Sequence, residues 1–281
     1  MHQRPETSDE IARLQQRIDT FAGELSELKQ LVSEIERLLA RTSARPLPAI
    51  SRPGRDRAPF DPGAVKALYS RRFDAREIRK KRTIWRHLTP FFEARLPEGT
   101  ASILELGAGE GEFLEQVRVA RRVAIDLNPS VHSLAAQGIE TIQGDITRLY
   151  DHFDDGSFDA VFCSNVLEHL YDKDQVHLVC REVHHVLAPH GRFLVLQPNF
   201  RFVGPDYYDF IDHRLELTAE AVVEALQVNG FRVRECLPRF IPYTSKSRLS
   251  SFYWLVPVYV RLPLAWRLFG KQAFITAEKA G

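Results

Sequence analysis

The sequence predicts an α/β fold built on a doubly wound, mostly parallel sheet, and three observations carry that expectation. An apolar run at Ile103, Leu104 and Leu106 passes directly into glycines at 107, 109 and 111, as a doubly buried strand does when it ends in a tight turn. Short strand patterns then recur between turn residues and helical stretches, in the order expected of such a sheet. Asp126 closes the second strand about nineteen residues after Gly107, the offset at which a carboxylate meets ribose hydroxyls in nucleotide folds. With 281 residues, 44% of them hydrophobic, the chain can bury one substantial core and still carry an extension.

The extension comes first. Ile11, Leu14, Ile18, Phe21, Leu25, Leu28, Val32, Ile35 and Leu39 follow a three-four alternation, so residues 1–42 read as a coiled-coil helix and favour a homo-oligomer. Thr7 and Glu10 offer a capping box at its start. Leu31 and Leu38 widen the stripe, which leaves a helix packed on its own domain as the alternative. Residues 43–63 interleave prolines with arginines and read as a semi-extended linker. Residues 64–281 then form the main domain, opening with helical spacing through Leu68, Ile78, Trp85, Leu88 and Phe92 and many basic residues between them.

The first strand covers Ile103 to Leu106, and Phe113, Leu114 and Val117 recur after it at helical spacing. The glycines thus sit on a strand-to-helix turn, where backbone can approach a ligand and a helix N-terminus offers unpaired N–H groups. The loop is G-x-G-x-G, with Glu112 where a dinucleotide fingerprint places its last glycine, which disfavours a nicotinamide cofactor. Arg122 to Leu127 is the second strand, Ile139 to Gln143 the third and Phe158 to Cys163 the fourth.

The stretch Ile-Leu-Glu-Leu-Gly-Ala-Gly-Glu-Gly-Glu-Phe from Ile103 resembles motif I of the class I S-adenosylmethionine-dependent methyltransferases. Asp126-Leu127-Asn128 resembles their motif II, and Gly144-Asp145-Ile146 their adenine segment. Phe158 to Leu170, Phe-Asp-Ala-Val-Phe-Cys-Ser-Asn-Val-Leu-Glu-His-Leu, closely resembles the type 11 methyltransferase domain. The resemblance implies a Rossmann-like, seven-stranded sheet with the last strand antiparallel, and S-adenosylmethionine as cofactor. It assigns Glu105, Gly107, Ala108, Gly109 and Gly111 to the methionine part. Asp126 and Leu127 fall to the ribose, Asp145 and Ile146 to the adenine, and Asn165 to the strand end that faces the transferable methyl group. Helices before motif I cover the cofactor in this family, which puts Arg82 within reach of its carboxylate.

The fifth strand, Arg192 to Leu196, follows a turn in which His190 stands where such families usually place glycine, so His190 is expected in the left-handed region. The long loop from Phe200 to Leu217, with Tyr207, Tyr208, Asp209, Asp212 and His213, is where a substrate is expected to be chosen. A helix from Thr218 to Asn229 leads to a sixth strand at Gly230-Phe231, and Ala273 to Ala277 supply the seventh. Between these two lies an apolar insertion, residues 249–269. Trp254, Tyr259 and Trp266 with basic neighbours suit a bilayer interface; a buried lid or a subunit contact fits equally well.

The formal charge of +1 hides a division by segment: about 0 over 1–63, +7 over 64–95, −13 over 96–230 and +7 over 231–281. An acidic centre disfavours nucleic acid, whereas basic flanks can meet an anionic surface. Cys163, Cys180 and Cys236 are scattered and odd in number, which fits a cytoplasmic protein without disulfides. The first residues lack a signal-peptide core, and no uncharged apolar run has transmembrane length. The expected activity is transfer of a methyl group to an oxygen or nitrogen of a small-molecule, sugar or lipid-linked glycan acceptor, with a peripheral contact at the inner membrane face. A sugar-hydroxyl acceptor is helped by a positioned base, for which His169 and His213 are the available imidazoles, a structural histidine being the alternative for either. Some quinone-pathway relatives carry Glu-x-x-Glu-His here and bind a metal; Asn165 replaces the first glutamate, so no metal is expected. The Gly-Glu-Phe-Leu after motif I, Asp-Leu-Asn and the coiled coil also resemble bacterial methyltransferases of surface-polysaccharide assembly. The alternatives are a quinone or lipid O-methyltransferase and a non-catalytic, cofactor-binding coiled-coil scaffold.

Overall fold

The structure, a computed structural model, describes residues 75–243 and 254–280, together with the isolated helical positions Gly23 and Gln30. The expected coiled coil, the linker and the start of the apolar insertion otherwise lie outside the described residues. Pro59–Gly281 forms one compact unit.

Seven strands make one sheet: β1 (Ser102–Leu106), β2 (Arg121–Asp126), β3 (Glu140–Gln143), β4 (Phe158–Ser164), β5 (Leu187–Pro198), β6 (Phe231–Leu237) and β7 (Gln272–Lys279), in the order β3-β2-β1-β4-β5-β7-β6. β7 runs antiparallel to both of its neighbours, and the other pairings are parallel. Alternate strand residues go to opposite faces, as the pleat requires. Leu104, Leu106, Val161, Cys163, Phe193 and Val195 join the core on one face, where the helices α2 (Lys173–Val186) and α4 (Ala219–Val228) contribute Val179, Val183 and Leu226. Ile103, Ala160, Phe162, Leu194 and Phe274 join the core on the other, beneath Leu88 and Phe92 of α1 (Ala75–Glu93). Both faces are therefore covered, which is why the strands read as apolar runs rather than alternations.

The strand order turns around between β1 and β4, and the crevice outside their carboxyl ends is where open α/β sheets take ligands. The chain leaves β1 through the glycine turn and β4 through Asn165. Past the glycines the expected helix does not form: residues 112–117 make irregular turns, with Glu115 N bonded to Gly111 O and Val117 N to Phe113 O. Phe113, Leu114 and Val117 are buried nonetheless. Only fourteen residues separate Leu106 from Arg121, too few for the glycine turn, a helix of ordinary length and the return to β2.

Elsewhere the boundaries move little. The loop after β5 is not structureless: α3 (Phe200–Val203) and a 3-10 turn (Gly204–Asp209) fold it around Tyr207, which is fully buried and donates its hydroxyl to Leu215 O. His190 has φ 63° as expected. Of the apolar insertion, α5 (Val256–Tyr259) and α6 (Pro263–Phe269) are described. Tyr259 donates to Phe240 O at 2.7 Å, and Trp266 Nε1 to Tyr259 O at 2.9 Å, with the indole edge-on to Phe91 and Phe240. Two of the three aromatics expected at a bilayer interface are thus anchors of the hairpin; Trp254, 61% exposed, is not. No helix among the described residues is long and apolar enough to cross a membrane.

Candidate functional site

The glycine turn is held from β2. Gly107 N donates to Ile125 O at 2.8 Å, and Gly109 N donates to Asp126 Oδ2 at 2.8 Å. Gly107, at φ 63°, must lack a side chain because a Cβ there would collide with the methyls of Val166 after β4. Gly109, at φ 55°, is different: a Cβ would meet nothing within 4 Å. The middle of the turn therefore opens onto space. Because the segment after the turn is not a helix, the helix N-terminus expected here does not form.

Four carboxylates stand at this end of the sheet, on or just after β1, β2 and β4. Glu105, 5% exposed, leaves its Oε2 without a hydrogen-bond partner. Burial, reinforced by Glu112 and Asp126, pushes its pKa well above the ordinary value. Glu112, 9% exposed, is likewise pushed up by burial, against the pull of Lys81 at 3.8 Å. Burial also raises Asp126, although the N–H groups of Asn128 and Gly109 oppose it. Glu168, in the 3-10 turn Leu167–His169, is raised by burial to about 7. Arg82, expected within reach of the cofactor carboxylate, donates from Nη2 to Glu115 Oε1 at 2.7 Å.

The remaining expected residues lie at or near the ends of the strands. Ala108 is buried in the turn and Leu127 follows Asp126, half-buried. Asp145 caps the 3-10 turn Ile146–Asp151, its Oδ1 accepting from Thr147 N and Oγ1 at 2.8 Å, and Ile146 is buried beneath it. Asn165 sits at φ 54°, rare for a residue with a side chain, and bonds Leu196 O through its N–H. His169 and His213 do meet, with ring centroids 5.1 Å apart. They meet because Arg214 N and Leu215 N both donate to Glu168 O, at 2.8 and 3.1 Å, which fixes the loop against the turn after β4. Asp212 O lies 3.0 Å from His169 Nδ1. A carbonyl only accepts, so Nδ1 is the donor in that bond.

Sequence reading did not single out Glu112, Val166 or Glu168 as site residues. Glu168 is flanked by His169, and its signal was a charged residue inside an apolar run; its burial follows only from the loop that covers it. Tyr243, whose hydroxyl lies 3.0 Å from His213 Nδ1, comes from beyond β6 and left no local signal.

Residues 104–195 match the protein-family model described as "Methyltransferase domain". A Mycolicibacterium smegmatis protein described as "Probable S-adenosylmethionine-dependent methyltransferase" is 33% identical over 145 residues, which are 49% of this chain and 54% of the relative. The chain thus spans about half the length of the curated relative it matches. Among solved structures, a SAM-dependent methyltransferase from Archaeoglobus fulgidus superposes with a TM-score of 0.52 at 18% identity, over 76% of this chain and 99% of that one. A SAM-dependent methyltransferase from Mesorhizobium loti gives 0.51 at 19%, over 68% and 97%. The [4+2]-cyclase SpnF gives 0.50 at 20%, over 69% and 80%. At these identities the structures establish a shared α/β fold, and the cyclase among them demonstrates that the fold does not fix the reaction.

Proposed function

We propose that the chain is an S-adenosylmethionine-dependent methyltransferase whose acceptor is an oxygen or nitrogen of a small-molecule, sugar or lipid-linked glycan. One observation carries the reading: the unpartnered, buried Oε2 of Glu105 beside the open middle of the glycine turn. A buried carboxylate oxygen without a partner is costly, and an amino group of a bound ligand would satisfy it. The residues present fit the cofactor. Glu105 with Gly107, Ala108, Gly109 and Gly111 would hold its methionine part, Asp126 and Leu127 the ribose, Asp145 and Ile146 the adenine, and Asn165 the side that faces the acceptor.

When bound, S-adenosylmethionine supplies a methyl group on a sulfonium, whose departure as a thioether needs no acid. The chain's task is then to align the acceptor and exclude water. Asp126, held by Gly109 N and Asn128 N, keeps a lone pair on each oxygen to accept from hydroxyls. An acceptor hydroxyl must also lose its proton, and His169 and His213 are the imidazoles the chain brings to that side. Calorimetric titration of the full chain with S-adenosylmethionine and with NADH tests the reading. Saturable binding of the first alone is expected; binding of neither, or of NADH instead, would overturn it.

A second layer of the proposal concerns placement. Between Cys236 and Ala277 the chain has no acidic residue, and Trp254, Val258, Leu264 and Leu268 are 61, 53, 69 and 62% exposed. This aliphatic edge, with Arg261 and Arg267, fits an anionic bilayer surface, which supports a lipid-linked acceptor and a role in surface-polysaccharide assembly at the inner membrane face. The double change Leu264→Ser, Leu268→Ser is expected to release the protein from anionic vesicles in flotation. If the unaltered protein does not float with them at low salt, the edge is a lid or a subunit contact. Self-association through residues 1–42 completes the proposal; light scattering showing the same mass after their removal refutes it.

A further inference from the structure

We propose that the acceptor is an amine, whose nitrogen enters as an ammonium and donates to Glu168, His169 and His213 at the carboxyl end of β4. The proposal deepens the methyltransferase reading and rests on it. A carboxylate oxygen of Glu168 and one ring nitrogen from each histidine lie within 4.8 Å of one another. Three points that close together share a centre no more than about 2.8 Å from each, an ordinary hydrogen-bond length for an N–H donor. A primary ammonium carries three such donors, so it fits this triangle without any movement of the chain.

Charge and burial favour an ammonium over a hydroxyl in this place. Glu168 is 2% exposed and its Oε2 has no hydrogen-bond partner, and a buried carboxylate oxygen in that state calls for a donor. Asp212, also buried, brings a second carboxylate 3.5 Å from His169 Nδ1. Neither acid is among the residues assigned to the cofactor. His169 donates from Nδ1 to Asp212 O, which in the neutral ring leaves Nε2 to accept. His213 matches it when its Nδ1 donates to the Tyr243 hydroxyl, 3.0 Å away. A hydroxyl brings one donor to these three acceptors, whereas an ammonium answers all three and carries the charge opposite to that of Glu168. The neighbouring rings suit the same guest. Phe210 stacks on His213 at 4.9 Å, and Tyr243 stands nearly perpendicular to Phe210 at 5.9 Å; aromatic rings attract ammonium groups. Arg214 N and Leu215 N, both bonded to Glu168 O, hold the two contributing segments together.

The same residues then serve the transfer. An ammonium has no lone pair, so one proton must leave before the nitrogen can attack. An alkylammonium, with a pKa near the lysine value of about 10.4, yields that proton to an imidazole far more readily than a hydroxyl does, whose pKa is nearer the value of about 15.7 for water. The proton passes to His169 or His213 and from there to solvent. The neutral amine keeps two N–H donors toward the triangle and turns its lone pair to the sulfonium methyl. A carbon–nitrogen bond forms, the carbon–sulfur bond breaks with its electron pair staying on sulfur, and the product leaves as a methylammonium. No oxidant or reductant is needed.

The test incubates the full chain with ¹³C-methyl S-adenosylmethionine and an extract of the cells that make it, partitioned into aqueous and organic phases, and follows the transferred methyl by NMR. A methyl carbon bonded to nitrogen, with a chemical shift that moves as an amine titrates, is expected. The aqueous phase holds it if the amine is a free small molecule, and the organic phase if it is borne on a lipid. A methyl on oxygen, a methyl on a nitrogen that does not titrate, or no labelled product overturns the proposal. Glu168→Gln, close to isosteric, should raise the KM for that acceptor about tenfold or more, while S-adenosylmethionine affinity and melting temperature hold. An unchanged KM overturns the role of Glu168; if the variant does not fold, the NMR result decides alone. Calorimetric binding of S-adenosylmethionine in the same samples separates the two failures. Without binding the methyltransferase reading falls, whereas binding with no methyl on an amine nitrogen removes this proposal only.

Discussion

The two ends of the sheet treat their carboxylates in opposite ways. At the amino end, Asp159 accepts from Ala101 N, Ser102 N and Ser102 Oγ at 2.8–2.9 Å. Burial pushes its pKa up, but those three donors outweigh it and hold the group below the ordinary range. Glu278, across from Arg192 in the β5–β7 register, is likewise lifted by burial but pulled lower by its paired bonds from Arg234, at 2.8 and 2.9 Å. At the carboxyl end, Glu105, Glu112, Asp126 and Glu168 are all raised, burial being the first cause in each. Three of them keep a buried oxygen without a hydrogen-bond partner, that of Glu112 lying 3.8 Å from Lys81 Nζ. The same side-chain chemistry is closed off by the protein at one end and left for a ligand at the other. Perturbed, unsatisfied groups gathered in a crevice mark a functional site; satisfied ones hold the fold together.

Substitutions at the two ends should therefore separate binding from stability. The largest effect is expected from Asp126→Ala. Losing a charged hydrogen-bond partner costs about 1.5–3 kcal/mol, roughly ten- to a hundredfold in cofactor affinity by calorimetry. Because Gly109 N and Asn128 N lose their acceptor as well, the melting temperature should fall too, and Asp126→Asn should recover part of that fall by keeping one oxygen. Unchanged affinity in a folded Asp126→Ala variant would break the comparison. Asp159→Ala should do the reverse. It strands three donors, two of them part-buried, and is expected to cost about 1–2 kcal/mol in urea unfolding, while cofactor affinity stays as it was. A loss of affinity there without a loss of stability would mean that the two ends are not distinct.

How much of this was legible beforehand follows from the range of the interactions involved. The strands were readable because a doubly covered sheet writes itself as apolar runs, and Asp126 because its place at a strand end is local. The sharp turn at Gly107 was readable as glycine, but its cause, the methyls of Val166, belongs to the turn after another strand. The helix after the glycines misled because Phe113, Leu114 and Val117 have helical spacing and are buried, yet the connection is too short to wind fully. Tyr259 and Trp266 left two readings open: aromatic next to basic residues fits a membrane edge or a buried contact, and only the fold reveals that Phe91 and Phe240 take the indole. The meeting of His169 with His213 depends on backbone pairing between segments far apart in sequence, which no periodicity encodes.

The smallest effect, and the one that sharpens the comparison most, is expected from Glu105→Gln. The folded state raises the pKa of Glu105 well above its ordinary 4.5, chiefly by burial. The folded chain therefore binds that proton more tightly than the unfolded chain does. Its contribution to stability is fully present below the ordinary value and is lost as pH rises through the raised one. Without ligand, the unaltered protein should be less stable to urea at a pH above the raised value than at a pH near the ordinary one, and Glu105→Gln, which has no charge to bury, should lose less between the two. Cofactor affinity should move the other way. Glutamine keeps an oxygen at the same place but not the charge, so a cationic amino group loses the charge-assisted part of one hydrogen bond, a decrease of less than about tenfold at neutral pH. A variant that is more stable at high pH and binds more weakly identifies Glu105 as a group kept unsatisfied for its ligand. If instead Glu105→Gln lowers stability equally at both pH values and leaves affinity alone, Glu105 belongs with Asp159 and Glu278 as a residue that only holds the sheet.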